Sequence, residues 1–438
     1  MTKQEKSTNP PDVRAEYTLE TEPPLGAEAQ ALIGTGHEGT VSDQFRAYTQ
    51  RVRGGDMGSL PALAGLIVLG ILFTSLDSVF FSKTNIANLM TQTAALMMLS
   101  MALTFVILIA EIDLSAGVTG GSAIAIWVLL VNQHNWNWVA ALVVAWLCAA
   151  TLGLFIGVFV AKIGIPSFVI TLGLFLGLQG FMLVLLGGSG AYRVQTQAVT
   201  DVMNKSMAAY LGWVMLAVIV LVSLATGLYD RRRRQAAGVA TRPIALLWIR
   251  VGLWIVLGGF VVYLLNQDRS TGVFPITGVP IVVPIALGIL WVGQWVLDRT
   301  RFGLHVFAVG GNPEAARRAG INVARVRIAC FVICSSLAVL SGLFTASQVG
   351  IVQATLGRDI VLSGVGAAVI GGVSLFGGRG RLSQAAVGAL LISMITNGLG
   401  LLGLSAGITF LVTGGVLILA ATIDAVSRRR PGAASLAR

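Results

Sequence analysis

The chain has 438 residues, 55% of them hydrophobic and 11% charged, with a mean hydropathy of +0.82. That balance excludes an ordinary soluble globular domain and points to a polytopic helical membrane protein, because apolar runs of about 17 to 24 residues recur along most of the chain. The formal net charge of +11 does not indicate nucleic-acid binding, since the basic residues sit in short loops between apolar runs and not on an amphipathic surface with interleaved aromatics.

Residues 1–40 are polar, acidic and proline-bearing, which predicts a disordered tail. Over 41–59, Val41, Phe45, Tyr48 and Val52 recur at helical spacing opposite Arg46, Gln50 and Arg53, the pattern of an amphipathic juxtamembrane helix. A solvated segment is the alternative there. The polar character of the first 59 residues argues against a cleavable signal peptide.

The region 60–427 reads as a transmembrane domain of about twelve helices, some short or broken. The expected spans are 60–81, 93–110, 117–131, 138–161, 168–186, 211–229, 243–265, 279–297, 327–347, 361–376, 384–403 and 406–424. With twelve spans, 25 of the 30 Lys and Arg fall on the side of the N-terminus, so both termini are expected in the cytoplasm, including the basic end 428–438. The span 361–376 is short and glycine-rich, and a partly re-entrant segment is the alternative to a full crossing. Cys148, Cys330 and Cys334 lie in apolar runs and read as small packing residues. His37, His134 and His305 are scattered and receive no role.

Charge inside an apolar stretch needs a reason. In Ala110-Glu111-Ile112-Asp113-Leu114-Ser115, two acids and a serine interrupt such a stretch. An ionised acid at bilayer depth costs about 2.5–3.5 kcal/mol on insertion scales, which places these groups at a helix break near the interface or facing a polar interior. Glu111, Asp113 and Ser115 are therefore candidate pathway or hinge residues; a capped break, with Asp113 capping the helix that follows, is the structural alternative. Gln179 and Asn397 are candidate pathway amides too, although interhelical hydrogen bonding serves equally well as their reason. Gln294 carries the same double reading.

Between the eighth and ninth spans lies Gly310-Gly311-Asn312-Pro313-Glu314-Ala315-Ala316-Arg317-Arg318-Ala319-Gly320-Ile321-Asn322. Asn312 is placed to cap a helix starting at Pro313, and Gly320 to end it in a left-handed conformation. Glu314 near the start and Arg317 and Arg318 near the end suit the helix dipole. The expected element, about 312–320, is a short helix outside the bilayer, either an ordinary connector or a docking element.

These residues reach a family. The runs at 110–115 and 310–322, together with Ile165-Pro166-Ser167-Phe168-Val169-Ile170-Thr171-Leu172 and Ile370-Gly371-Gly372-Val373-Ser374-Leu375-Phe376-Gly377-Gly378, resemble the permease subunit of ATP-binding-cassette sugar importers of the ribose and xylose type. The resemblance covers the chain from about residue 60 onward and is closest to the xylose subgroup, because Asp230-Arg231-Arg232-Arg233-Arg234-Gln235 and the span ending Leu264-Leu265-Asn266 occupy the place of that subgroup's extra helix pair.

The resemblance implies a type II-like importer permease in the cell membrane that moves a monosaccharide, xylose or a related sugar, into the cytoplasm. It implies a permease homodimer in the lipid bilayer, a cytoplasmic nucleotide-binding ATPase and an extracytoplasmic sugar-binding protein. Gly311, Asn312, Pro313, Glu314, Ala315, Ala316, Arg317, Arg318 and Gly320 then form the coupling helix that docks on the ATPase, and Glu314-Ala315-Ala316 followed by Gly320 is similar to a pattern shared by many importers. No cofactor is expected on this chain, which is not itself an enzyme. It carries no Walker A sequence, so ATP and Mg are expected on the partner ATPase. Two stretches depart from the family: Arg358-Asp359-Ile360-Val361-Leu362-Ser363 stands where an acidic run is usual, and Leu178-Gln179-Gly180 where Phe-Arg-Gly is common. The rival readings are a proton-coupled secondary transporter using Glu111 or Asp113, and an intramembrane enzyme built on the same acid pair.

Overall fold

The computed structural model describes residue 49 and residues 58–187, 190–238, 241, 243–270 and 272–428. The expected tail over 1–40, nearly all of the 41–59 helix and all but Arg428 of the basic end lie outside the described residues.

Helices run between two ends of one bundle. In chain order they are α1 (Leu60–Leu76), α2 (Lys83–Leu108), α3 (Ala116–Asn132), α4 (Trp138–Val158, prolonged by a π turn over Phe159–Ile163), α5 (Ser167–Leu186), α6 (Gln197–Asn204), α7 (Ala209–Ala236), α8 (Ile244–Leu253) and, after a π turn over Trp254–Gly258, α9 (Gly259–Asn266). Then come α10 (Val282–Arg299), α11 (Arg301–Gly311), α12 (Pro313–Arg318), α13 (Val323–Val349), α14 (Ile360–Gly371), α15 (Leu382–Leu401) and α16 (Ala406–Arg428). Among the described residues, eight helices are long and apolar enough to cross a membrane, counting Ile244–Asn266 as one, and four shorter apolar helices accompany them. Every expected span coincides with one of these.

α2 is the centre. Met98, Leu99, Met101 and Leu103 lie on all its faces and are wholly buried, as expected of a helix that is apolar all round and enclosed by others. α13 packs along α2, α3 and α4, and α15 lies against α2 and α14. α3 and α13 come within backbone contact, since a Cβ at Gly120 would collide with the Ala338 carbonyl, the close approach that small residues permit between membrane helices. The outer helices are apolar outward as well: Ile67, Val184 and Leu221 are each more than 60% exposed. Such a surface is matched by lipid, with backbone groups in the helix interiors satisfied within their own segment.

Boundaries differ from the expected ones for local reasons. α2 begins at Lys83, ten residues before its apolar run, because Ser82 caps it by accepting from the Asn85 amide at 3.2 Å and the polar Asn85 is satisfied by another helix. α1 stops at Leu76, where the Asp77 carboxylate accepts from the Val79 amide at 2.8 Å and opens a short 3-10 turn over Ser78–Phe81. α14 has 12 residues and ends at Gly372, so at 1.5 Å per residue it covers about 18 Å of a hydrocarbon core of about 30 Å. Irregular chain follows it over 372–381, so α14 by itself is too short to cross. α11 fills what reads as loop, opened by Thr300, whose hydroxyl accepts from the Gly303 amide at 3.2 Å.

The all-helical architecture carries one addition. β1 (Ala191–Arg193) pairs antiparallel with β2 (Ile351–Gln353), Tyr192 opposite Val352, and Asn132 at the end of α3 donates to the Arg193 carbonyl at 2.8 Å. With α6 this marks one end of the bundle. α12 marks the other.

Candidate functional site

The segment around Glu314 folds as a helix closed at both ends by its own sequence. Asn312 is extended (φ −157°, ψ 102°) and its Oδ1 accepts from the amides of Glu314 and Ala315, both at 3.0 Å. Pro313 takes the first helical position, where an amide would have no intrahelical acceptor. At the far end Gly320 sits at φ +83°; its amide donates to the Arg317 carbonyl and the Ile321 amide to the Ala316 carbonyl, each at 3.0 Å, a Schellman termination. Glu314 pairs with Arg317 at 3.0 Å and with Arg318 at 3.7 Å, and all three side chains are exposed. Such pairs add only about 0.3–0.5 kcal/mol each, so the caps and not the charges hold the helix. Ala316 alone among its six residues is buried. The outward face presents one acid and two bases to whatever lies beyond.

Attachment of α12 is double, and both attachments land on the break between α2 and α3. Before α12, Gly310 lies against the Leu108 carbonyl so closely that any Cβ there would overlap the oxygen, and the Gly378 amide donates to that carbonyl at 2.8 Å. After α12, Arg327 on α13 reaches Glu111, Nη2 to Oε1 3.3 Å, with the two side chains 26% and 14% exposed. Gly311, by contrast, has open space where a Cβ would be.

The break itself is a helix stop built without glycine. Ala110 takes φ +60°, its amide donates to the Ile107 carbonyl at 2.9 Å and the Glu111 amide to the Val106 carbonyl at 3.1 Å. This Schellman geometry on a residue with a Cβ costs roughly 1–2 kcal/mol relative to right-handed backbone. Asp113 is buried, and its Oδ1 accepts from the Ser115 amide at 2.9 Å and hydroxyl at 2.6 Å. Asp113 therefore does not cap α3: Ser115 stands at the N-cap position, no side chain there accepts from a helical amide, and Asp113 instead closes a tight turn on Ser115 just before the helix. The wholly buried Cys334 of α13 lies beside the same carboxyl. From α5, the Ser167 hydroxyl accepts from the Ile112 amide at 3.2 Å, and the Thr171 hydroxyl donates to the Ile112 carbonyl at 3.4 Å.

Four runs separated by as much as 260 residues in the chain, at 110–115, 165–172, 310–322 and 370–378, therefore meet at one end of the bundle, with the break as their common point. Gln179 is not part of this meeting. It is half-buried on α5, twelve residues and so about 18 Å along the helix from Ser167. Asn397 is also apart: its Oδ1 accepts from Asn85 Nδ2 at 2.8 Å, and its Nδ2 donates to Asn85 Oδ1 at 2.9 Å and to Gln92 Oε1 at 3.3 Å. This ring of amides is buried, mutually satisfied and near the opposite end of α2, the arrangement of an interhelical tie. Gln294 likewise accepts from the Ser383 amide at 3.2 Å. Arg327, Asn85 and Gln92 were not singled out by sequence, and Ser167 and Thr171 stood there only as part of the 165–172 run, without a role. Only an arginine at the edge of an apolar run, with an acid pair elsewhere in the chain, hinted at the first of them.

An apolar-sided bundle of long helices, with capped and exposed chain at one end tied into the α2–α3 break at that same end, defines a multi-pass membrane permease. The chain belongs to the family described as "Branched-chain amino acid transport system / permease component", which it matches over residues 85–421. It is 31% identical over 369 residues to the xylose transport system permease protein XylH of Escherichia coli (strain K12), covering 84% of this chain and 92% of the relative. It is 29% identical over 378 residues to XylH of Haemophilus influenzae, covering 84% and 96%, and 29% identical over 368 residues to the ribose import permease protein RbsC of Escherichia coli (strain K12), covering 83% and 92%. No solved structure matches.

Proposed function

We propose that this chain is the membrane-spanning permease subunit of an ATP-binding-cassette importer for a monosaccharide, xylose or a related sugar, with ATP hydrolysed on a separate subunit. The observation that carries the reading is the double attachment of α12. An exposed, independently capped helix, fixed before by Gly310 on Leu108 and after by Arg327 on Glu111, moves as a rigid piece and takes the α2–α3 break with it. The similarity to xylose and ribose permeases over most of the chain supplies the cargo class.

In this reading α12 docks on a cytoplasmic ATPase, both termini are cytoplasmic, the permease works as a homodimer in the inner membrane, and an extracytoplasmic binding protein delivers sugar to the opposite end. Closure of the ATPase pushes α12, and the break passes the motion to α2, which touches most of the core. Glu111 and Asp113 hold this joint: one is ion-paired with Arg327 and the other is engaged by Ser115 through Oδ1.

The test is co-purification with the candidate ATPase. Replacing Glu314 with Ala or Gly320 with Ala is expected to weaken ATPase association or to uncouple hydrolysis from uptake while the permease stays folded. Unchanged association, ATPase stimulation and uptake in both variants would count against the assignment.

A further inference from the structure

α7 has 28 residues and is about 42 Å long, whereas its apolar part, 211–229, covers about 28 Å of a hydrocarbon core of about 30 Å. Its last two turns therefore emerge from the core with Arg231, Arg232, Arg233 and Arg234 at headgroup depth. Two neighbours end at the same level. α10 is fixed there by Arg299, whose Nη2 lies 2.7 Å from each carboxylate oxygen of Asp230, and α8 by Leu247, whose side chain packs directly on Gly227.

Charge at this corner is one-sided. Among the described residues, the stretches 229–250 and 295–301 hold seven arginines against two aspartates, and Asp230 is already taken by Arg299. Arg232, Arg233 and Arg234 are exposed. Tyr229, Trp248 and Trp295, each more than half exposed, stand beside Asp230, beside Leu247 and one turn before Arg299, so they ring the corner at a single depth. Amphipathic rings at that depth are the mark of a membrane–water interface, and clustered arginines just beyond it are the complement of anionic headgroups.

We propose that the α7–α8–α10 corner is a binding site for anionic phospholipid, with Arg232, Arg233 and Arg234 engaging headgroup phosphates and the three aromatic rings seating the acyl–headgroup boundary. The proposal rests only on the membrane-spanning fold and stands whatever cargo the protein carries.

The experiment uses the full chain purified in neutral detergent. Phosphatidylglycerol, phosphatidylcholine and inorganic phosphate are titrated separately, and bound lipid is read by mass spectrometry and thermal midpoint. Phosphatidylglycerol is expected to bind and raise the midpoint, phosphatidylcholine and inorganic phosphate are not, and the affinity falls as salt is raised. The triple change Arg232→Gln, Arg233→Gln and Arg234→Gln should weaken phosphatidylglycerol binding by roughly tenfold or more, the corresponding Lys triple should retain it, and Arg358→Gln at the opposite end should leave it unchanged. Equal binding by wild type and the Gln triple overturns the proposal. So does equal uptake of phosphatidylcholine, or displacement of the lipid by inorganic phosphate, which would mark a small-anion site. Loss of ATPase co-purification in the Gln triple with phosphatidylglycerol binding intact would make the corner a protein-docking surface and overturn it too.

Discussion

Arg327, four residues into α13, reaches across 216 positions of chain to Glu111 at the break between α2 and α3, with Nη2 3.3 Å from Oε1. Because Gly310 rests on Leu108 just before that break, α12 is bracketed by two contacts to one place. Replacing Glu111 with Gln or Arg327 with Gln leaves a partly buried charge unpaired and is expected to lower stability by about 1–3 kcal/mol. Uptake should fall further than that loss explains, with ATPase association retained. The charge-reversed pair Glu111→Arg with Arg327→Glu should recover part of both, and a double-mutant cycle on thermal midpoint and uptake measures the coupling.

Gly310 and Gly311 are neighbours with opposite requirements. Gly310→Ala forces its Cβ into the Leu108 carbonyl and is expected to destabilise by about 1–3 kcal/mol as the backbones separate. Gly311→Ala meets nothing within 4 Å and should change stability by no more than about 0.5 kcal/mol. Thermal unfolding of the two variants side by side decides it.

The caps of α12 make a separable prediction. Asn312→Ala removes the acceptor for two amides and should cost about 1 kcal/mol, and Gly320→Ala places a Cβ at φ +83° for about 1–2 kcal/mol. Both losses are expected as faster amide exchange confined to 312–321, with the buried bundle unaffected.

The Asn85–Asn397 ring is expected to behave as a tie. Asn397→Ala leaves Asn85 Oδ1 without its donor in the interior, Nδ2 keeping the Phe80 carbonyl, and should cost about 1–3 kcal/mol, whereas the same change made on top of Asn85→Ala should cost distinctly less. Sugar specificity should not follow either change, and competition uptake with a panel of sugars checks that.

Asp268 provides a pH dependence outside the membrane-spanning helices. The Ser270 amide at 2.9 Å, the Ser270 hydroxyl beside it and the Ile276 amide at 3.0 Å hold its carboxyl below the usual carboxylate range. The folded value is depressed, so the stabilisation is present above about pH 4 and is lost as pH falls through the folded value. Amide exchange of Ser270 and Ile276 should accelerate in that acid window in wild type, and Asp268→Asn should abolish the pH dependence.

Much of the fold was legible because membrane helices announce themselves one at a time: every apolar run is a helix, and Asn312, Pro313 and Gly320 closed α12 where their own chemistry required. What stayed hidden depended on distant partners. The early start of α2 at Lys83 makes sense only once Asn397, 312 residues away, is seen to satisfy Asn85. α11 was announced by Thr300 and the spacing of Phe302, Val306 and Val309, but its shortness and the surrounding charge masked the signal. The break at 110–115 was visible as misplaced charge, yet nothing near it in sequence pointed to Arg327, Ser167 or Gly378. Polar residues inside a bundle declare that they need partners without declaring which.

The most direct test of the account is reconstitution of this chain into vesicles with its nucleotide-binding and sugar-binding partners, assayed for uptake of pentoses, hexoses and polyols. ATP-dependent uptake of a monosaccharide that requires all three components is the predicted result. Uptake by this chain alone, driven by a proton gradient, would contradict the account and make the chain a secondary transporter.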